Sequence, residues 1–423
     1  MKTNQELFEF IKNSPSAFHT VDTVKRELVE NGYTELYESE AWELSEGGKY
    51  FVTRNGTSLI AFVNRSSGGF MISASHSDSP AFRLKINNEK SGAQTRLDVE
   101  KYGGMIYYSW LDRPLSLAGR VVVKNENGIE ARLINLDRDI AVIPSVAIHF
   151  NRTVNDGYKF NPAVDLLPLV ASGEKKGELI SQVAKELSVK PEDILSHDLF
   201  LYNRDAGRTV GLDGEYILSP RLDDLECVFA SLKAFLSAKA TDSTPVLAIF
   251  DNEEVGSETK QGAASTFLYD TLSKIAGESY TVRLAKSMMV SADNAHARHP
   301  NHPELSDAEN APEMNGGIVI KWNANQRYTT DAVSAALFMR ICERCSAKTQ
   351  NFYNRADMLG GSTLGTIADT KVSVSTVDIG LAQLAMHSAN ETAGAYDLDN
   401  LVCAMTEFFS TAIKIDGQNV ILS

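Results

Sequence analysis

Five short segments of the sequence place histidine, aspartate or glutamate side chains directly after a predicted buried strand or just before a predicted helix. The segments are His76-Ser77-Asp78, Asp223-Asp224, the run 251–254, Asp293, and the run 387–391. In open α/β sheets, ligands bind in the crevice at the carboxyl ends of the strands. Alone, each segment has a simpler interpretation, such as an acidic helix cap or a hydrogen-bonded core histidine. Because all five recur at equivalent positions, we expect them to converge in one crevice.

The side chains of these segments are suited to binding divalent metal ions. Several carboxylates brought together with two imidazoles would be unfavourable unless cations lay among them. Two ions about 3.5 to 4 Å apart need a bridging carboxylate, further ligands, and a nearby carboxylate that takes a proton from a shared water. Histidine and carboxylate ligands without thiolate suit Zn²⁺, and also Mn²⁺ or Co²⁺. Asp78 follows His76 by two residues in an extended segment, so it can orient that imidazole from the same side.

Short apolar runs alternate with amphipathic helices along the chain and would position these segments. The predicted buried strands are 70–75, 245–250, 287–292, 318–320 and 371–377. The predicted helices, in which apolar residues recur three or four apart, are 19–31, 224–238, 331–347 and 398–413. This alternation predicts an α/β fold in which helices cover both faces of a mixed central sheet.

Between about residues 86 and 219 the sequence becomes rich in strand and turn patterns. Asn127-Gly128 predicts a hairpin turn, as Asn55-Gly56 does nearer the start, and only 176–187 has a strong helical pattern in this region. We therefore predict that residues 88–219 form an inserted β-rich domain. Residues 1–87 and 220–423 would then form one discontinuous catalytic domain.

Length and composition indicate a folded protein of more than one domain. The chain has 423 residues, of which 43% are hydrophobic and 23% charged. Its net charge of −14 disfavours nucleic acid and anionic membranes as partners, because the long-range field repels both. No apolar run approaches the ~20 residues that span a bilayer, and residues 1–20 carry charges where a signal peptide is apolar. We expect a cytoplasmic protein.

The four cysteines are too few for a disulfide framework and fit a reducing compartment. Cys342 and Cys345 form a CxxC pair within a helical pattern. Because no second close pair accompanies them, core packing explains this pair better than a metal or redox site does.

Further motifs extend the pattern along the whole chain. They are S-P-S-A-F-H at 14–19, W-L-D-R-P-L-S-L-A-G-R at 110–120 and N-G-G-I-V-I-K at 315–321. Together with the five segments, this ordered set resembles the aspartyl aminopeptidases, whose relatives include vacuolar aminopeptidase I. Several motifs in order at the family's spacing are far more specific than any one of them.

The resemblance implies a dinuclear metal site, with Zn²⁺ as the expected metal. The implied ligands are Asp223 as the bridge, His76 with Asp293 on one ion, and Glu254 with His387 on the other. Glu253 would be the general base, a choice between Glu253 and Glu254 that the residue pattern alone leaves open. Asp78 completes the predicted catalytic group as the partner of His76.

The resemblance also implies that the enzyme removes an N-terminal Asp or Glu from peptides. Because the chain is acidic overall, a local cation must balance the substrate carboxylate. Lys321 is the candidate, with His299 near the same pocket, although Lys321 alone would be interpreted as a surface lysine at a strand end. The middle segment resembles a dimerisation domain that pairs subunits into a tetrahedral dodecamer. In such an assembly, His149 would reach a neighbouring subunit's active site and help to stabilise the oxyanion.

Three alternatives stay open. One is a dinuclear aminopeptidase that prefers neutral or hydrophobic first residues, against which the motif at 110–120 speaks. Another is a noncatalytic scaffold of the same fold, although such proteins usually lack a ligand or the base. The third is a carboxypeptidase or amidohydrolase of related fold, which would need a guanidinium or similar group to hold a terminal carboxylate.

Overall fold

The structure is a computed structural model that describes residues 2–417 and 419–423. The helices of this part of the chain are α1 Lys2–Lys12, α2 Ala17–Glu30, α3 Pro162–Asp165, α4 Glu178–Glu186, α5 Leu222–Ser237, α6 Phe267–Ala276, α7 Tyr280–Leu284, α8 Ala332–Arg344, α9 Leu364–Asp369 and α10 Asp397–Phe409. The strands are β1 Thr34–Leu36, β2 Lys49–Arg54, β3 Ser58–Val63, β4 Phe70–His76, β5 Ala81–Lys90, β6 Gln94–Tyr102, β7 Pro114–Asn125, β8 Gly128–Asn135, β9 Ala141–Val142, β10 Leu169–Ser172, β11 Ile194–Asn203, β12 Arg208–Val210, β13 Tyr216–Ser219, β14 Thr244–Phe250, β15 Met288–Ala292, β16 Ala295–His296, β17 Ile318–Trp322, β18 Thr349–Tyr353, β19 Ser375–Gly380, β20 Ala382–Leu384, β21 Glu391–Gly394, β22 Ile413–Asp416 and β23 Asn419–Leu422.

A nine-stranded mixed sheet lies at the centre of the larger part of the molecule, in the order β1-β2-β3-β14-β4-β15-β19-β17-β18. The strands β14, β4, β15 and β19 are parallel to one another, whereas β17 is antiparallel to β19. Every residue of β4 and β14 is buried, as in sheets that are covered on both faces. The predicted α/β fold with a mixed central sheet is confirmed.

Helices cover the two faces of this sheet because successive side chains of a strand point to opposite sides. Met71 and Leu247 pack into a core with α1, α5, α8 and α10. Ile72 and Val246, their sequence neighbours, pack on the other face with α6 and α9.

A second, antiparallel sheet of seven strands follows the order β11-β5-β6-β10-β9-β7-β8 and has its own core, which includes Phe82, Trp110 and Leu199. Strand β11 also pairs with β7, so six of these strands close into a ring. This is the predicted β-rich part. Its sheet uses residues from Ala81 to Asn203. The domain division at residues 88 and 219 stays a prediction.

Three differences from the predicted element boundaries bear on the core and the site. The last helix ends at Phe409 and not at residue 413, because Ile413 pairs with Leu422 in a β-hairpin. The strand predicted over 371–377 begins at Ser375, since Val372 packs in the core beside α9 instead. Lys321 lies within β17, opposite Phe352 of β18, and not beyond the strand end.

Two further expectations concern cysteines and membranes. All four cysteines are free, and the buried Cys342 lies in α8 as part of the main core. In the described residues, no helix has the length and apolarity needed to cross a membrane.

Candidate metal centre

Three parallel strands bring candidate side chains to one edge of the central sheet. His76 is the last residue of β4 and lies opposite Phe250, the last residue of β14. Asp293 directly follows β15, and Glu253 begins a short 3₁₀ turn just after β14. Because parallel strands end at a common edge, the polar residues that follow each apolar run are neighbours in space.

Asp223 and His387 reach the same edge from outside the parallel strands. Asp223 lies in the first turn of α5, with non-helical backbone angles of φ −81° and ψ 108°. His387 follows β20 and has a left-handed backbone, with φ 67°. The two carboxylate oxygens of Glu391 accept one backbone N–H each, from Asp223 at 3.0 Å and from His387 at 2.8 Å. Glu391 thereby fixes these two segments relative to each other.

Two groups of candidate ligands share the carboxylate of Asp223. In the first group, His76 Nε2 lies 3.4 Å from Asp223 Oδ1 and 3.9 Å from Asp293 Oδ1. In the second, His387 Nε2 lies 3.4 Å from both Asp223 Oδ2 and Glu254 Oε2. Within each group the ligand atoms all lie within 4.8 Å of one another. The two oxygens of Asp223 therefore face different groups, as those of a bridging carboxylate would.

The oxygen and nitrogen atoms at this edge suit metal ions as ligands. Asp223 Oδ1 and Glu254 Oε1 are buried, and neither has a hydrogen-bond donor within the described residues. Burial, together with the negative charges of Asp293, Asp78 and Asp223, raises the pKa of Glu253 to about 8. Burial and the charge of Asp223 also raise the pKa of Glu254. Closely spaced carboxylates that lack hydrogen-bond donors are stabilised by a cation between them. This site therefore suits divalent metal binding.

Asp78 connects the first group to the loop that carries Glu253 and Glu254. Its Oδ1 lies 3.3 Å from His76 Nδ1 and accepts the backbone N–H of Glu253 at 3.2 Å. Its Oδ2 accepts the backbone N–H of Glu254 at 3.2 Å and the hydroxyl of Tyr102 at 2.6 Å. The backbone carbonyl of Asp78 also lies within hydrogen-bond distance of His76 Nδ1, at 3.1 Å. Asp78 thus orients an imidazole and two backbone amides at once.

The sequence also matches a family of known proteins. The family model described as "Aminopeptidase I zinc metalloprotease (M18)" matches residues 10–409. The chain belongs to the M18 family. It is therefore a metalloaminopeptidase of a zinc-dependent family, and the resemblance inferred from the motifs is confirmed at this level.

Curated and solved relatives agree with this assignment. A probable M18 family aminopeptidase 2 of Clostridium acetobutylicum is 45% identical over 424 residues, which cover 96% of this chain and 98% of the relative. A chain in the cryo-EM structure of the Ape4 and Nbr1 complex has a TM-score of 0.93 and 34% identity, covering 96% of this chain and 85% of that one. A chain of the S. cerevisiae mApe1 dodecamer has a TM-score of 0.85 and 28% identity, with 96% of each chain covered.

Lys321 lies in the interior of this M18 fold, beside the first group of candidate ligands. Its side chain is only 3% exposed, and Nζ donates to the carbonyl of Asn294 at 2.8 Å. Nζ also lies 3.5 Å from Asp293 Oδ2. Although burial lowers the pKa of Lys321, the charge of Asp293 raises it above its ordinary value. The simpler interpretation of a surface lysine at a strand end is wrong, because the side chain is buried.

The other two predicted substrate residues belong to none of these metal-binding groups. His299 is half-buried in a groove of about 300 Å³ that His296 and Phe352 also line, and its Nδ1 accepts the N–H of Asn301 at 3.2 Å. His149 lies in an exposed turn of the β-rich part.

Two motifs of the sequence meet in a cavity of about 500 Å³ between the two sheets. Phe18 of the first motif and both Trp110 and Arg120 of the second line it, and Arg120 stacks on the Phe18 ring at 4.5 Å. Asp78 and Asp223 line another part of its wall. These motifs therefore join the β-rich part to the metal-binding edge.

The residue pattern gave no role to Tyr102 or Glu391. Glu391 closes the fifth segment, so its position could have suggested a function. Tyr102 ends a strand of the other sheet and has no comparable signal in the sequence.

Proposed function

We propose that this M18 protein is an aminopeptidase that binds two divalent metal ions and removes Asp or Glu from the N-terminus of peptides. The observation that carries the proposal is the pair of ligand groups that share Asp223, with one of its oxygens facing each histidine at 3.4 Å. A single-ion site would need only one of these groups. The sharing of one carboxylate is the arrangement that two-metal hydrolases require.

In this proposal each ion has two ligands of its own in addition to Asp223. The ligands are His76 and Asp293 for one ion, and Glu254 and His387 for the other. Zn²⁺ fits these nitrogen and oxygen donors, as do Mn²⁺ and Co²⁺. The ions would supply Lewis acidity at the peptide carbonyl and at the attacking water.

Glu253 acts as the proton carrier of the reaction. Its side chain lies in a third group with His76 and Glu254, within reach of the same space as the metal-binding atoms. It takes a proton from the attacking water and delivers it to the nitrogen of the leaving amine. Asp78 holds the backbone of Glu253 and so fixes the direction in which this carboxylate points.

Lys321 supports the preference for acidic first residues. Its buried ammonium is 3.5 Å from Asp293, and the charge of Asp293 would be shared with a bound ion. The ammonium is then able to balance a second carboxylate, that of the substrate, with His299 as a further contributor from the neighbouring groove. A buried cation has a strong effect here, since the low local dielectric strengthens each charge interaction.

The β-rich part is proposed to join subunits into a larger homo-oligomer. The side chains of Val146, Ile148 and Phe150 flank His149 and are 54%, 48% and 88% exposed. A second copy of the chain would remove this apolar surface from water. The dodecamer of mApe1 supports the same view, and His149 would then act at a neighbouring subunit's active site.

The test is hydrolysis of Asp-, Glu- and Leu-anilides by chelator-stripped protein, before and after addition of Zn²⁺, Mn²⁺ or Co²⁺, with the bound metal counted. Restored cleavage of Asp and Glu substrates at two ions per chain is expected. Cleavage mainly of the Leu substrate would retain the metal site and transfer the protein to the neutral-preferring alternative. No cleavage with any metal would favour the scaffold.

A further inference from the structure

A segment of the β-rich part contacts both loops of the second ligand group. We call residues 102–109 the crossing segment, because they leave the end of β6 and pass over the metal-binding edge. The hydroxyl of Tyr102 donates to Asp78 Oδ2 at 2.6 Å and accepts from Asn252 Nδ2 at 2.8 Å. It is thus bonded both to the carboxylate that holds the loop of Glu254 and to that loop itself.

The ring of Tyr102 is held in place independently of these bonds. It packs edge-on against Phe200 of β11, which lies on the other side of β5 in the same sheet, with ring centroids 5.6 Å apart. The hydroxyl therefore approaches Asp78 from a fixed direction. Since a hydroxyl bond to a carboxylate is among the stronger hydrogen bonds, it stabilises one orientation of Asp78.

Two glycines continue the crossing segment past the second ligand group. Gly103 has φ +76°, and a Cβ on it would lie 3.2 Å from Glu254 Cβ and 3.3 Å from Glu254 Oε2. The carbonyl of Gly104 accepts from His387 Nδ1 at 2.6 Å. Because a carbonyl can only accept, the proton of a neutral His387 is on Nδ1, and the lone pair of Nε2 faces Asp223 and Glu254.

The same segment also fixes the backbone of the His387 loop. The N–H of Ile106 donates to the carbonyl of His387 at 3.0 Å. The hydroxyl of Ser109 accepts the N–H of Ala389 at 2.9 Å. The crossing segment thus contacts the ring and the backbone of His387. It also contacts the side chain of Glu254, and the Asp78 carboxylate that holds the backbone of Glu254.

We propose that the crossing segment is the positioning element of the Glu254–His387 group, so that the β-rich part of the chain sets the metal affinity of this half of the site. Tyr102 is a positioning residue in this scheme and does not touch the substrate. The inference rests on the proposed function, because it takes Glu254 and His387 as ligands. It adds that their geometry is supplied by the other sheet.

The first test compares Tyr102→Phe with Tyr202→Phe. Both substitutions keep a packed ring and remove a hydroxyl group. The Tyr202 hydroxyl donates to Asn135 at 2.7 Å within the β-rich part, whereas the Tyr102 hydroxyl makes the two bonds to Asp78 and Asn252. We expect Tyr102→Phe to weaken binding of the second equivalent of Zn²⁺ about 10- to 100-fold, measured by competition with a chromophoric chelator. Tyr202→Phe should bind both equivalents as the wild type does. The visible spectrum of the Co²⁺-loaded protein should change only in Tyr102→Phe.

The second test compares Gly103→Ala with Gly173→Ala. The two glycines have nearly equal φ angles, +76° and +72°, so alanine is strained to a similar degree at either. A Cβ at Gly173 has no atom within 4 Å among the described residues, whereas one at Gly103 presses on Glu254. The unfolding temperature of the metal-free protein should therefore fall at least as much in Gly103→Ala as in Gly173→Ala, and only Gly103→Ala should lose affinity for the second ion.

The inference is overturned if Tyr102→Phe and Gly103→Ala both bind two equivalents with the affinity and Co²⁺ spectrum of their controls. It is also overturned if any loss of affinity is matched by an equal loss in the control. These readouts do not involve peptide cleavage, so a failed acidic preference leaves them intact. If the wild type binds a single ion, the two-ion proposal fails. The inference about the crossing segment is then overturned if Tyr102→Phe binds that ion with the affinity of the wild type, and it is supported if the affinity falls.

Discussion

The two halves of the metal centre are built from different kinds of structure. His76 and Asp293 come from the ends of the neighbouring strands β4 and β15, in both of which every residue is buried. Glu254 and His387 come from loops, and the side chain of His387 is 31% exposed. The first half is positioned by the central sheet, whereas the second depends on contacts with the β-rich part.

This difference indicates how each half should respond to change. Strand ends in a close-packed core have little freedom to move, so the first half forms as soon as the central sheet folds. Loops have lower local stability and are held by a few specific hydrogen bonds. Substitutions in the first half should therefore affect folding, and those in the second should mainly affect metal binding.

Asp223→Asn should have the largest effect, because it breaks both halves at once. The asparagine amide retains only one of the two oxygens of Asp223 and lacks the negative charge that both ligand groups share. We expect loss of both ions and no detectable peptide cleavage, with metal content measured by elemental analysis. Asp224→Asn is the matched control. The backbone N–H of His76 donates to Asp224 Oδ2 at 3.1 Å, and the oxygen of an asparagine amide can still accept this bond. Equal metal loss in both variants would contradict the bridging role of Asp223.

Glu253→Gln should remove turnover without changing either half. The amide has nearly the same shape but cannot accept the proton, so the rate should fall about 10²- to 10⁴-fold. Its backbone N–H still donates to Asp78, so the loop should keep its position. Metal content near that of the wild type is expected from elemental analysis. Retained activity would exclude Glu253 as the base.

His76→Ala and His387→Ala should separate the two halves. His76 is 1% exposed, and its removal leaves a void and unpaired carboxylates in the core, so stability should fall by about 2 to 4 kcal/mol. His387→Ala leaves the backbone bonds of its loop in place and should shift unfolding little. Each variant should lose one ion. Denaturant unfolding of the metal-free proteins measures the difference in stability, and equal destabilisation would contradict the contrast between strand ends and loops.

The same contrast explains what could be predicted from the sequence. Buried strands have continuous apolar runs, so the ends of β14 and β15 were predicted to the residue and the end of β4 to within one residue. The α/β fold followed from these runs. Lys321 was misplaced because a lysine normally marks the exposed end of a strand, and here it is buried beside Asp293.

The contacts of the second half could not be predicted in this way. Tyr102 and Asn252 are 150 residues apart; Tyr102 ends β6 of one sheet, and Asn252 lies in the loop after β14 of the other. No local pattern encodes such a pairing, since it depends on how the two sheets pack. In the sequence, the crossing segment contains a Gly-Gly pair at 103–104 and no other pattern that indicates a function. Its relation to His387 and Glu254 becomes visible only in the folded chain.

Lys321→Met should have the smallest effect and tests the proposed role of this lysine in the preference for acidic first residues. Methionine keeps the length and burial of the side chain but removes the charge, so the ratio of Asp- to Leu-anilide cleavage should fall about 10- to 100-fold, the value of a lost charged hydrogen bond. The ratio is the useful quantity, because losing the partner of Asp293 slows both substrates alike. Lys371→Met, at an exposed lysine, should leave the ratio unchanged. If Lys321→Met slows both substrates by the same factor, this lysine supports only Asp293, and acidic specificity must come from another cation.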